Sequence, residues 1–119
     1  MIEKKNFYIN GKWVAPVKPN DFDVIDPSTE EAFAVISLGS IEDTDKAVSA
    51  AKVAFETWRE TSKEERVKLL EKFCEIYNRR WDEMVEAQSM EMGAPLDFAS
   101  EIHTKTVSYT HLTLPTKSG

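Results

Sequence analysis

A single cysteine, Cys74, leaves this 119-residue chain without an internal disulfide framework. One thiol fits a reducing compartment, so a soluble cytoplasmic protein is the expectation. Four glycines, at positions 11, 39, 93 and 119, are too scattered to build a G-x-G-x-x-G turn or a P-loop. No apolar run reaches the roughly eighteen residues of a membrane span. Residues 1–6 hold two lysines with no apolar segment behind them, so no secretory signal is visible. Positive charge is short as well. Lys and Arg number 15 against 21 Asp and Glu, a net charge of −6, whereas a nucleic-acid surface needs clustered cations. Histidine is limited to His103 and His111, with no Cys or His partner at ligand spacing, which excludes a zinc site of the usual kind.

What is present is ordinary globular material. A hydrophobic share of 41% with 10% aromatic residues separates the chain from disordered classes. Its length suits one small domain or a piece of a larger one. No internal repeat occurs.

Along the chain, Phe7-Tyr8-Ile9-Asn10-Gly11-Lys12-Trp13-Val14 predicts a hairpin, because Asn-Gly supplies the two positive-φ positions of a type I′ turn. Pro16, Pro19 and the polar group around Asn20 predict a loop. Phe22 to Ile25 predicts a second strand, closed by the turn Asp26-Pro27-Ser28-Thr29. Phe33 to Ser37 returns as a third strand, with Phe33 and Val35 on one face. The strands read as a hairpin platform and not as a βαβ unit.

From Ser40 to Pro95 the pattern turns helical. Ser40 is an N-cap before the acidic first turn of a helix from Glu42 to about Glu60. Its apolar stripe is Ala47, Ala51, Ala54, Phe55 and Trp58, at one-face helical spacing. Thr61 and Ser62 cap a second helix, Glu65 completing a capping box. That helix carries Val67, Leu70, Phe73, Cys74 and Tyr77. A break at Asn78-Arg79-Arg80 precedes a third helix from Trp81 to Met92, ended by Gly93 and Pro95. Short joints predict antiparallel packing. Beyond Leu96, Asp97 to Thr106 suits a further helix with Ala99 and Ile102 as its apolar positions.

Chemistry is hard to place on this framework. Cys74 lies on an apolar stripe between Phe73 and Ile76, where a thiol packs as a small hydrophobe and does not ionise as a nucleophile. Glu64-Glu65 and Glu71 with Glu75 belong to a solvated helix face, not to a buried acid pair. Trp13, Trp58 and Trp81 suit core or interface packing better than a ligand pocket. No catalytic, cofactor-binding or metal-binding residue is assigned. From residues alone the reading is a soluble α+β domain without a visible active site.

A family resemblance takes the reading further. Phe7 to Val14, then Val24-Ile25-Asp26-Pro27-Ser28-Thr29-Glu30, then Ala47-Val48-Ser49-Ala50-Ala51 and Phe55-Glu56-Thr57-Trp58, resemble in order and spacing the N-terminus of an NAD(P)-dependent aldehyde dehydrogenase. Ser62-Lys63-Glu64-Glu65-Arg66 and Glu91-Met92-Gly93-Ala94-Pro95 continue it. The resemblance implies an α/β parent fold, aldehyde dehydrogenase-like. This fragment would be α+β, with N-terminal β-hairpins followed by two or three antiparallel helices.

It also implies a parent reaction, oxidation of an aldehyde to a carboxylic acid with NAD or NADP through a thiohemiacetal on cysteine, in a protein that tends to homo-oligomers. The family's nucleophilic cysteine, general-base glutamate, oxyanion-hole asparagine and cofactor sheet lie further along, and Cys74 matches none of them. The fragment alone is expected to bind no cofactor and to be inactive. A monovalent cation near the positions of Val24, Ile25 and Glu91 is a further implication of the resemblance. The expected organisation is 1–106 as an incomplete aldehyde dehydrogenase segment and 107–119 as a non-native tail. The tail is rich in Thr and Ser, and its Val107-to-Thr116 run resembles translated sequencing-adapter sequence. The competing expectation is a non-catalytic helical-hairpin module that docks a protein partner through Phe55, Trp58 and Trp81.

Overall fold

The computed structural model describes residues 1–104, with side chains through 101, and opens on a strand that the sequence pattern hides. β1 (Ile2–Lys4) pairs in parallel with β5 (Glu31–Ser37), Glu3 opposite Val35. Its three residues are all exposed, so no inside–outside alternation marks it as a strand. Pairing with a neighbour far along the chain makes it one, and the platform is therefore not built of hairpins alone.

β2 (Phe7–Ile9) and β3 (Lys12–Val14) form the expected hairpin, with Tyr8 opposite Trp13. Asn10 and Gly11 take φ of 54° and 76°, the left-handed pair of a type I′ turn. The Tyr8 and Trp13 rings lie 5.1 Å apart in a tilted pair. β4 (Asp21–Asp26) runs antiparallel to β5, giving a three-stranded sheet in the order β1-β5-β4 beside the two-stranded hairpin. The connecting turn is held as its composition predicts. The Ser28 N–H donates to Asp26 Oδ1 at 2.8 Å, and the Glu30 N–H to the Asp26 carbonyl at 2.8 Å.

Register along β4 and β5 shifts between Val24 and Ile25, which pair with Ala34 and Ala32 and leave Phe33 as the extra residue of a bulge. The alternation expected from Phe33 and Val35 is broken there. Ala34 and Val35 are buried in succession, with Ser37 buried beyond them. A central strand carrying a bulge does not keep a clean period of two.

α1 (Ile41–Trp58) starts at Ser40 with a complete capping box formed with Asp43. Its apolar stripe does not go inside. Phe55 is 55% exposed and Trp58 45%. The spacing forms the helix, and that face stays largely exposed.

Residues from 61 onward make a second unit. α2 (Lys63–Arg79) begins at Ser62, whose Oγ accepts from the Glu65 N–H at 3.2 Å. α3 (Trp81–Met92) starts after the expected break at Arg80 and ends on Gly93 at φ 69°. A short turn α4 (Leu96–Phe98) runs into a π-helical stretch, Ala99–Thr104, in place of the regular helix expected there. Cys74, Tyr77, Val85 and the fully buried Ala99 are the apolar centre of this unit. The Trp81 Nε1–H donates to Ser100 Oγ at 3.0 Å, tying the start of α3 to the π-helical stretch. Tyr77 stacks with Phe73 and meets Trp81 edge-on, both pairs at 5.9 Å. The expectations for Ile102, His103, His111 and the 107–119 tail fall on side chains or residues outside those described.

Candidate functional site

Within the first unit, the most elaborate polar arrangement centres on Asp43. The residue is 6% exposed, and its Oδ2 accepts from both the Ser40 N–H and the Ser40 hydroxyl at 2.9 Å. Its Oδ1 accepts from the Val17 N–H at 2.9 Å, a bond spanning 26 residues. The carboxyl is held below its ordinary value chiefly by the Ser40 backbone donor, then by that of Val17. A near-buried carboxylate with donors on both oxygens is fully satisfied. It is a clasp between the 15–20 loop and the start of α1, not a proton-transfer group seeking a substrate.

Asp43 also borders a cavity of about 450 Å³, together with Phe7, Ile9, Gly39 and Ala47. The volume would admit a small organic molecule. Its walls are mainly apolar and its charged group is an anion already bonded to the protein. A pyrophosphate would meet that carboxylate and the acidic first turn, Glu42 and Asp43, where an anion site needs free N–H groups. This cavity offers a pyrophosphate no such groups.

The other residues considered from sequence are spread over both units. Cys74 is buried at 6% exposure on α2, as its place on the apolar stripe predicts. Glu64, Glu65, Glu71 and Glu75 are exposed, and Lys72 Nζ approaches Glu75 Oε2 at 3.6 Å, the solvated face that was expected. Arg80 and Glu83 form a close exposed pair at 2.8 Å that lowers the Glu83 carboxyl and raises the guanidinium through their mutual hydrogen bond. Exposed pairs of this kind contribute little to stability. Val24 and Ile25 lie on β4 at the bulge, while Glu91 is exposed in the last turn of α3. Among the described residues, no three His, Cys, Asp or Glu side chains gather where they could hold a metal.

The tryptophans divide. Trp13 is 71% exposed on the hairpin and Trp58 45% exposed on α1, whereas Trp81 is half-buried and hydrogen-bonded within its unit. Two features escaped sequence reasoning. The Val17 bond could not be foreseen, because a loop amide carries no side-chain signal. The size of the uncovered apolar surface could not be either, because spacing specifies a stripe and not its cover. On the helices, Val48, Val53, Phe55 and Trp58 of the first unit, and Leu69, Phe73, Leu96 and Phe98 of the second, are among the side chains more than 40% exposed. Exposed apolar side chains in such number mark contact surface within each unit, not a catalytic cleft.

Comparison with known proteins bears on what those surfaces belong to. The model of the aldehyde dehydrogenase family matches residues 13–114, and so runs past residue 106 into the Thr- and Ser-rich stretch. A 3-succinoylsemialdehyde-pyridine dehydrogenase of Pseudomonas sp is 45% identical over 96 residues, 81% of this chain but 20% of that protein. The chain thus spans about a fifth of the length of the curated relatives it matches. The crystal structure of an aldehyde dehydrogenase from Bartonella henselae is 52% identical at a TM-score of 0.93, covering 98% of this chain and 24% of that one. A mutant aldehyde dehydrogenase C from Pseudomonas syringae, solved with NAD+ and octanal, is 36% identical at a TM-score of 0.87, covering 90% and 22%.

Proposed function

Because this chain belongs to the aldehyde dehydrogenase family, we propose that it serves as a non-catalytic N-terminal flank of a longer oxidoreductase. That enzyme oxidises aldehydes to carboxylic acids with a nicotinamide dinucleotide. NAD is favoured over NADP by the Pseudomonas syringae relative, which holds NAD+ beside octanal. The nicotinamide would accept hydride from the aldehyde carbon, and the residues that perform this lie outside the chain. The chain's own part is mechanical. It presents a braced strand platform and the open faces of its helices for the remainder of the enzyme to cover.

One observation carries the proposal. The α1 stripe, at correct helical spacing, stays exposed at Ala47, Ala51, Ala54 and Phe55. Full burial of a large apolar side chain stabilises by about 1.5–3 kcal/mol. Partial exposure of Phe55 and Trp58 forgoes about half of that at each, a sizeable share of the roughly 5–15 kcal/mol that stabilises a whole domain. A stand-alone protein would not be expected to leave that much apolar area uncovered.

The test is to purify the 119-residue chain and follow dye binding, light scattering and cofactor-dependent aldehyde oxidation together. The expected outcome is strong binding of a hydrophobic dye, association that grows with concentration, and no aldehyde oxidation with NAD or NADP. A dye-silent monomer that unfolds in one sharp transition would favour the docking-module reading instead. Aldehyde oxidation abolished by Cys74→Ala would overturn the non-catalytic assignment.

A further inference from the structure

We propose that Asn10 is a self-modification site, converted to aspartate and isoaspartate by its own neighbour, Gly11. Asn10 is exposed at the tip of the hairpin. Gly11 has no side chain to shield its amide nitrogen, and even a Cβ built there would meet nothing within 4 Å. Water and hydroxide therefore reach the Asn10–Gly11 peptide from the open side of Gly11.

The hairpin itself allows the motion that the reaction needs. Each strand has three residues, and the pair is a separate two-stranded sheet. β3 is exposed along its whole length, whereas Phe7 and Ile9 of β2 are half-buried. An isolated two-stranded ribbon is marginally stable, so β3 peels from β2 while β2 stays anchored. In the opened turn the constraint of the positive-φ pair is released, and the Gly11 nitrogen swings towards the Asn10 side chain.

The chemistry balances without any oxidant or partner. The Gly11 backbone nitrogen loses its proton to hydroxide and attacks Cγ of Asn10. A C–N bond forms as the Cγ–NH2 bond breaks, and ammonia leaves with a proton from water. Water then opens the five-membered succinimide at either carbonyl. Opening at one carbonyl gives aspartate. Opening at the other gives isoaspartate, in which the main chain runs through the side-chain carbon. The net change is one amide replaced by one carboxylate, with one water consumed and one ammonia released.

The two products differ in consequence. Asp-Gly suits the same type I′ turn, so aspartate preserves the pairing of Tyr8 with Trp13. Isoaspartate lengthens the turn by a methylene, and a lengthened turn cannot hold a register set by loop length. The other asparagines are poorer sites. Asn6, Asn20 and Asn78 precede Phe7, Asp21 and Arg79, whose side chains crowd the attacking nitrogen, and Asn78 also lies within α2.

The experiment incubates the folded 119-residue chain at mildly alkaline pH beside a urea-unfolded sample and an Asn10→Asp blank. Tryptic peptides are then sequenced by mass spectrometry. The expected result is a gain of about 1 Da localised to position 10, as a mixture of both products, before any change at Asn6, Asn20 or Asn78. Asn10 left intact in the folded chain after the urea sample has fully converted would overturn the proposal. So would faster conversion at another asparagine, or the same gain in the blank's hairpin peptide.

Discussion

Asp43 shows how a residue legible as a helix cap becomes a pH-dependent clasp. Its carboxyl is held below the ordinary carboxylate value by the Ser40 and Val17 donors. A depressed folded-state pKa contributes stability that is fully present above the unfolded value and is lost as pH falls through the folded one. Protection of the Val17 amide against hydrogen exchange should therefore be level near neutrality and decline once the pH drops below about 4. In Asp43→Asn the side-chain NH2 must face one of the N–H donors. Protection should fall at all pH values and the acid limb should flatten. An unchanged acid limb in that variant would place the pH dependence on other carboxylates. The Ser40–Asp43 half of this device was visible as an N-cap three residues before an acidic side chain. The Val17 half was not, because an unmarked loop amide meets the carboxylate only through the path of the chain.

At the scale of elements, burial separates α3 from α1 although both have regular apolar spacing. Val85 is 8% exposed on α3, whereas on α1 Phe55 is 55% exposed and Val53, off the stripe, 75%. Val85→Ala should cost about 2 kcal/mol, two methylene equivalents with their cavity, read as loss of amide protection in α3. Val53→Ala should change protection in α1 by no more than about 0.5 kcal/mol, as expected of a surface site. Equal effects at the two positions would mean that α1 is covered in solution. Helix boundaries followed from local codes. Ser40 and Ser62 open α1 and α2, and Gly93 closes α3 at φ 69°. β1 did not follow, since three exposed residues carry no periodic signal and acquire strand form only beside β5.

For the whole molecule, the open apolar faces govern solution behaviour. Replacing Val53 and Phe55 by lysine places two charges where apolar side chains now meet water. The double variant should bind less hydrophobic dye and scatter less light than the parent chain, while its far-UV helical signal stays the same. Loss of the helical signal would show that those side chains are already packed inside. Retained signal with unchanged dye binding would move the sticky surface elsewhere, with Leu96 and Phe98 next to be replaced.

Turn chemistry, capping and helical period are local properties, read by neighbouring atoms within a few residues. For that reason the Asn10–Gly11 hairpin, the three helices and the family resemblance could all be inferred from residue order. Folding alone revealed the parallel β1–β5 pair, the bulge at Phe33 and the reach of Asp43 to Val17, because each joins atoms distant along the chain. The same holds for the stripe on α1. Spacing made it apolar, but whether it is covered depends on which surfaces meet, and no short-range code specifies that.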